Sequence, residues 1–157
     1  MKIRNGFVSN SSTSSFTCEV CGRTETEWDS VSLSDLGFVQ CVNEHMFCDE
    51  EMVADEKQEE GKYGEMGLAA ECCPICTFSV FSESDLKRYL KLLTGIPEDE
   101  AFAQVKAMNK RRKVLRTNEY IMYACTKGNF NKDTLLAETK AKYGTYEAFK
   151  AYIWGPK

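Results

Sequence analysis

The chain has 157 residues, 43% of them hydrophobic and 28% charged, with a formal net charge of −4. That length suits one domain, or a small domain with a helical partner, and the apolar content is enough for a real core. No apolar run approaches a membrane span, and the first sixteen residues carry no hydrophobic stretch of signal-peptide type, so a reducing cytoplasm is the expected location.

The net charge hides an asymmetry. Residues 1–81 carry five Lys/Arg against fifteen Asp/Glu, and residues 82–157 carry fifteen against nine. Either the halves attract each other, or the basic half meets an anionic partner, or each simply solvates its own surface.

Residues 1–15 end in Ser9-Asn10-Ser11-Ser12-Thr13-Ser14-Ser15. Such a run buries no apolar area and competes for its own backbone hydrogen bonds, which predicts a flexible Ser-rich leader. The string MKIRNGFVSNSSTSSF over residues 1–16 resembles a leader found on many uncharacterised bacteriophage and bacterial proteins. The resemblance implies a phage or prophage origin and no particular chemistry. A plain serine linker is the alternative.

Residues 16–81 hold a ladder of metal-ligand side chains: Cys18-x2-Cys21, Cys41-x3-His45-x2-Cys48 and Cys73-x2-Cys76. A two-residue spacer lets both sulfurs of a knuckle reach one ion, and thiolates with imidazole are the donors zinc prefers. Seven donors exceed the four that one ion needs and fall one short of two ions; Cys72 or Glu51 is the candidate eighth. Buried reduced thiols are a poor explanation for seven cysteine and histidine side chains in register. A redox Cys-x-x-Cys would want a βαβ setting, which neither knuckle has. This half alone also buries too little apolar surface to fold without a staple.

Within the segment, 16–22 reads as a strand entering a knuckle, with Gly22 free to adopt a left-handed turn. Residues 38–42 alternate like a strand, and 47–60 are helix-compatible and acidic, with Gly61 as a stop.

This pattern resembles a RING finger: a first Cys-x2-Cys, a Cys…His-x2-Cys cluster, and a closing Cys-Pro-x-Cys at Cys73-Pro74-Ile75-Cys76. The resemblance implies a cross-brace with Cys41, His45, Cys73 and Cys76 on one ion and Cys18, Cys21 and Cys48 on the other. Glu51 stands where the family has a further cysteine. In ubiquitin-ligating members, the positions matching Val20, Pro74 and Ile75 help grip the conjugating enzyme. A zinc ribbon using Cys18, Cys21, Cys73 and Cys76 is the structural rival, leaving Cys41, His45 and Cys48 for a second site.

Residues 82–157 read as a helical domain. Ser82 or Ser84 caps a first helix ended by Gly95, and Pro97 opens a second through Phe102, Val105 and Met108. Thr117 or Asn118 starts a third, stopped by Gly128. Asn131 or Asp133 caps a fourth, and Gly144-Thr145 separates it from an aromatic fifth. The fold class expected is therefore α+β: a small zinc-stabilised N-terminal module of cross-brace, treble-clef or ribbon type, then a helical C-terminal half.

Functionally, a single histidine excludes His-rich hydrolytic zinc sites, and the order of Glu44, His45, Cys73 and Pro74 is wrong for a zinc deaminase. No Walker or dinucleotide glycine motif occurs. One reading is a protein-interaction module carrying one or two zinc ions and acting on a host protein. The other is nucleic-acid binding through Lys106, Lys110, Arg111, Arg112, Lys113 and Arg116, whose cations can neutralise phosphates or simply solvate a helix end. A ubiquitin ligase of RING type is the remaining alternative.

Overall fold

Short antiparallel strand pairs carry the cysteine-rich half, two of them closed by turns that hold metal-ligand side chains. The computed structural model describes residues 13–28, 32–53, 63–64 and 67–155. Strand β1 (Thr13–Thr17) pairs with β2 (Thr24–Trp28) in register Phe16↔Glu25. Between them Cys18–Gly22 folds into a tight turn: the Cys18 amide donates to the Arg23 carbonyl at 2.8 Å and Gly22 N–H to the Cys18 carbonyl at 2.9 Å. Gly22 has φ of 77°, the left-handed region expected for it.

The strand begins earlier than the sequence suggested. Thr13, Ser14 and Ser15 belong to β1, not to a flexible leader. Pairing with β2 satisfies the backbone groups that serine side chains would otherwise compete for. The rest of the leader, residues 1–12, lies outside the described residues.

Strand β3 (Phe38–Gln40) pairs with β4 (Met46–Cys48) in register Val39↔Phe47. Their turn carries Cys41 and His45, tied by the Cys41 amide to the His45 carbonyl at 3.0 Å. The predicted helix over 47–60 does not start there. Phe47 and Cys48 are strand residues, and Asp49–Glu51 is a single 3-10 turn. Tertiary contact overrides propensity: Phe47 is fully buried opposite Val39, which helical spacing would not allow. Residues 54–60 of that prediction lie outside the described residues.

A third pair, β5 (Tyr63–Gly64) with β6 (Gly67–Leu68), places fully buried Leu68 beside Cys41. The Val42 amide donates to the Leu68 carbonyl at 2.8 Å. A side chain at Gly67 would meet the Gln40 carbonyl at 2.8 Å, so this close approach needs glycine.

Five helices follow among the described residues: α1 (Glu83–Thr94), α2 (Glu98–Met108), α3 (Thr117–Gly128), α4 (Lys132–Tyr143) and α5 (Tyr146–Trp154). Ser82 caps α1 through the Asp85 amide, Asn131 caps α4, and Thr145 caps α5. Gly95 and Asn129 end α1 and α3 in left-handed conformation. Pro97 stands one residue before α2, as its N-cap, and Gly128 is the last residue of α3. Helix α1 packs on α3 and α5, α2 on α3, and α4 on α5. Among the described residues no helix is long and apolar enough to cross a membrane.

The core is continuous across the two halves. Phe78 and Phe81, from the loop after the last knuckle, pack on Phe149 of α5 at ring-centroid distances of 5.4 and 5.5 Å. Tyr89 of α1 meets the same ring edge-on at 5.1 Å. One backbone bond crosses the junction, from the Glu83 amide to the Glu19 carbonyl at 2.5 Å, and the Glu19 amide in turn donates to the Met46 carbonyl within the cysteine-rich half at 2.8 Å. Beneath α5, the buried Asp85 carboxylate accepts from the Tyr146 hydroxyl and, at 2.5 Å, from Trp154 Nε1.

Candidate metal centres

The first two strand pairs deliver their ligands by geometry that their turns dictate. The β3–β4 turn is too short to separate Cys41 from His45, and the turn at 73–76 returns the chain to them. The donors of Cys41, His45, Cys73 and Cys76 therefore lie within 4.8 Å of one another. The knuckle after β1, the end of β4 and the following 3-10 turn gather Cys18, Cys21, Cys48 and Glu51 in a second group equally tight. We call the first the inner centre and the second the knuckle centre.

Their edge lengths can be compared with those of a metal tetrahedron. Metal–sulfur bonds of about 2.3 Å at tetrahedral angles put two sulfurs about 3.8 Å apart, and a sulfur and an imidazole nitrogen about 3.5 Å apart. In the inner centre Cys41 Sγ lies 3.8 Å from Cys76 Sγ, and His45 Nδ1 lies 3.5 Å from Cys41 Sγ and 3.6 Å from Cys73 Sγ. His45 Nδ1 to Cys76 Sγ is tighter, at 3.2 Å. In the knuckle centre Cys21 and Cys48 are 3.8 Å apart, and Cys18 Sγ is 3.1 Å from Glu51 Oε2. These sulfurs are too far apart for S–S bonds of about 2.05 Å, and no disulfide links the described residues. Both donor sets fit a four-coordinate divalent cation.

Sulfur in this environment resists ionising alone. Burial pushes the Cys18 thiol up to about 12, with the Glu51 carboxylate adding to the rise and the Cys21 amide opposing it. Burial also raises Cys48, Cys73 and Cys76. Burial lowers His45, with Glu19 opposing that shift, so its imidazole is neutral and able to ligate. The centres thus hold their protons until a cation displaces them, which makes metal binding a proton-releasing reaction.

Neighbours orient the ligands. Asn43 Nδ2 donates to Cys76 Sγ at 3.2 Å, and the Cys76 amide to Cys73 Sγ at 3.4 Å. Val20 and Cys21 amides point at Cys18 Sγ at 3.4 Å. Arg23 Nη1 stands 3.9 Å from Cys48 Sγ. The His45 ring lies edge-on to Tyr146 of α5 at 5.9 Å. Sequence reading missed Asn43 and Arg23 in these roles. Their signal was position: Asn43 lies inside the Cys41–His45 spacer, and Arg23 two residues beyond Cys21.

All seven predicted cysteine and histidine ligands enter one centre or the other. Of the two candidates for the eighth, Glu51 takes part, while Cys72 is buried outside both groups. The ribbon pairing of Cys18 and Cys21 with Cys73 and Cys76 is not the one observed, because the β1–β2 and β3–β4 turns present their ligands to different centres. At the positions matched to the grip of ubiquitin-ligating RING fingers, Ile75 is fully buried, Pro74 is buried and Val20 is half-buried.

The basic stretch runs from the end of α2 through the connection to α3. Lys106, Lys110, Arg111, Lys113 and Arg116 are exposed, and half-buried Arg112 pairs with Glu119 at 2.7 Å. Beside it Met108, Val114 and Met122 are 83%, 73% and 67% exposed. A groove of about 400 Å³ between α2 and α3 is lined by Val105, Met108, Met122 and Tyr123, among others.

No protein-family model, curated protein or solved structure matches this chain.

Proposed function

We propose that this chain is a zinc-organised protein-interaction module, in which two zinc ions brace the cysteine-rich half in a RING-finger-like cross-brace and the helical half offers the docking face. The observation that carries the reading is the pair of four-donor groups with near-tetrahedral edges. Three thiolates with one imidazole, and three with one carboxylate, are the donor sets that favour zinc over harder cations. Both sets fill all four positions of a tetrahedron, the arrangement of a structural ion.

The docking face in this reading is the α2–α3 groove. Exposed Met108 and Met122 line it and supply adaptable apolar contact, and the cations from Lys106 to Arg116 favour an acidic partner. The resemblance of residues 1–16 to a bacteriophage leader supports a phage origin, and the partner in this reading is a host-cell protein met in the cytoplasm. Capture from nuclease-treated host lysate tests it. A single protein should be retained by the wild type and lost with Met122→Glu. Retention of nothing once nucleic acid is digested overturns it.

A second reading, nucleic-acid binding, is favoured by the five exposed cations at the end of α2 and in the connection to α3. It requires binding that weakens steeply with salt and falls for Arg111→Ala with Lys113→Ala. Salt-insensitive or absent binding to duplex and single-stranded DNA removes it.

A further inference from the structure

The two centres are chemically unequal. Resting on the two-ion reading above, we infer that the knuckle centre of Cys18, Cys21, Cys48 and Glu51 is an exchangeable site for a borderline-soft divalent cation, while the inner centre keeps its ion for the life of the fold.

Three independent differences point the same way. The first is the donor set. A carboxylate replaces the imidazole or fourth thiolate, and for zinc it is the weaker ligand. With three thiolates and a carboxylate around a divalent ion, the knuckle centre carries two excess negative charges; the inner centre, with neutral His45, carries one. Arg23, whose Nη1 stands 3.9 Å from Cys48 Sγ, is itself paired with Glu25 at 3.2 Å and so offsets that excess only in part.

The second difference is access. Cys41, His45 and Cys73 are buried and Cys76 is half-buried, whereas Cys21 is exposed and Glu51 half-buried. Cys21 also lines a cavity of about 460 Å³ between the knuckle and the helices, with Glu83 and Lys132 among its walls. A chelating or donating small molecule can approach Cys21 by that route without opening the core.

The third is anchoring. Glu51 sits on a 3-10 turn with no buried residue. His45, by contrast, is held between β3 and β4 and against the Tyr146 ring, which is itself fixed on buried Asp85. Release of the inner ion therefore disturbs the seam between the halves. Release of the knuckle ion frees the Glu51 turn, while Cys18 and Cys48 stay buried in the core. A carboxylate on an unburied turn would yield its position at a bound ion to an incoming donor more readily than an imidazole packed in the core.

The test uses the full chain loaded with two equivalents of zinc and mixed with excess 4-(2-pyridylazo)resorcinol. One equivalent should leave in a fast phase with helical circular dichroism unchanged, and the second at least about tenfold more slowly. Glu51→Cys should merge the fast phase into the slow one, and Glu51→Ala should accelerate it or leave that centre empty. Release of both equivalents in a single phase from the wild type overturns the inference. So does a fast phase that ignores both substitutions. A chain that takes up no zinc at all defeats the two-ion reading instead, so the two failures are distinguishable.

Discussion

Replacing Phe149 by alanine should loosen the seam that makes one structure of two halves. The ring is fully buried. It touches Phe78 and Phe81 from the cysteine-rich half and Tyr89 and Tyr143 from the helical half, at centroid distances of 5.4, 5.5, 5.1 and 5.7 Å. Truncating a buried phenylalanine costs about 3–5 kcal/mol through lost transfer energy and the cavity left behind. Each aromatic pair contributes about 0.5–1.5 kcal/mol beyond burial, partly counted already, so the upper half of that range is expected. Phe149→Leu restores much of the volume but no ring, and should cost about 1–1.5 kcal/mol. Urea unfolding of the metal-loaded protein, followed at 222 nm, measures both. Because Phe78 lies two residues beyond Cys76, Phe149→Ala should also hasten loss of the inner ion to a chelator. A destabilisation below about 1 kcal/mol, or unaltered release kinetics, would show that the halves merely touch.

Three other outcomes follow from the same contacts. Cys73→Ser should abolish the inner ion and expose the cysteine-rich half to limited proteolysis. Structural zinc supplies about 10–16 kcal/mol, comparable to or above the whole stability of a typical domain. Asp85→Ala leaves the Tyr146 hydroxyl and the Trp154 indole N–H without their acceptor, and should cost about 2–4 kcal/mol by thermal or urea unfolding. Metal affinity should fall on acidification. The thiols at Cys18, Cys48, Cys73 and Cys76 lie above their ordinary range, so the ion must displace protons, and lowering pH drives the reverse reaction. With three cysteines per centre the apparent constant should drop by up to about a thousandfold per pH unit, read by competition with a chelator of known affinity.

Much of this architecture could be read along the chain because its signals are local. Ser82, Asn131 and Thr145 cap helices where a polar residue precedes an apolar period, and Gly95 stops one where a left-handed residue is needed. The Cys/His ladder marks its own ligands, since spacing alone brings Cys18 to Cys21 and Cys73 to Cys76. What local pattern could not supply was partnership. Phe47 looks helical beside its acidic neighbours, and only the buried pairing with Val39 makes it strand. Thr13–Ser15 look like linker until β2 pairs with them. Glu51 and Cys72 were indistinguishable as eighth ligand, because the choice depends on which turn faces the knuckle. The Asp85, Tyr146 and Trp154 cluster joins residues more than sixty positions apart, with no periodicity to announce it.

The most direct measurement is metal content and coordination in the folded protein: elemental analysis of the purified chain together with zinc-edge X-ray absorption. Two zinc ions per chain are expected, with a shell of three sulfurs at about 2.3 Å and one lighter atom at each. A fully ordered chain that binds no cation, with thiols titrating independently, would contradict the account at its base.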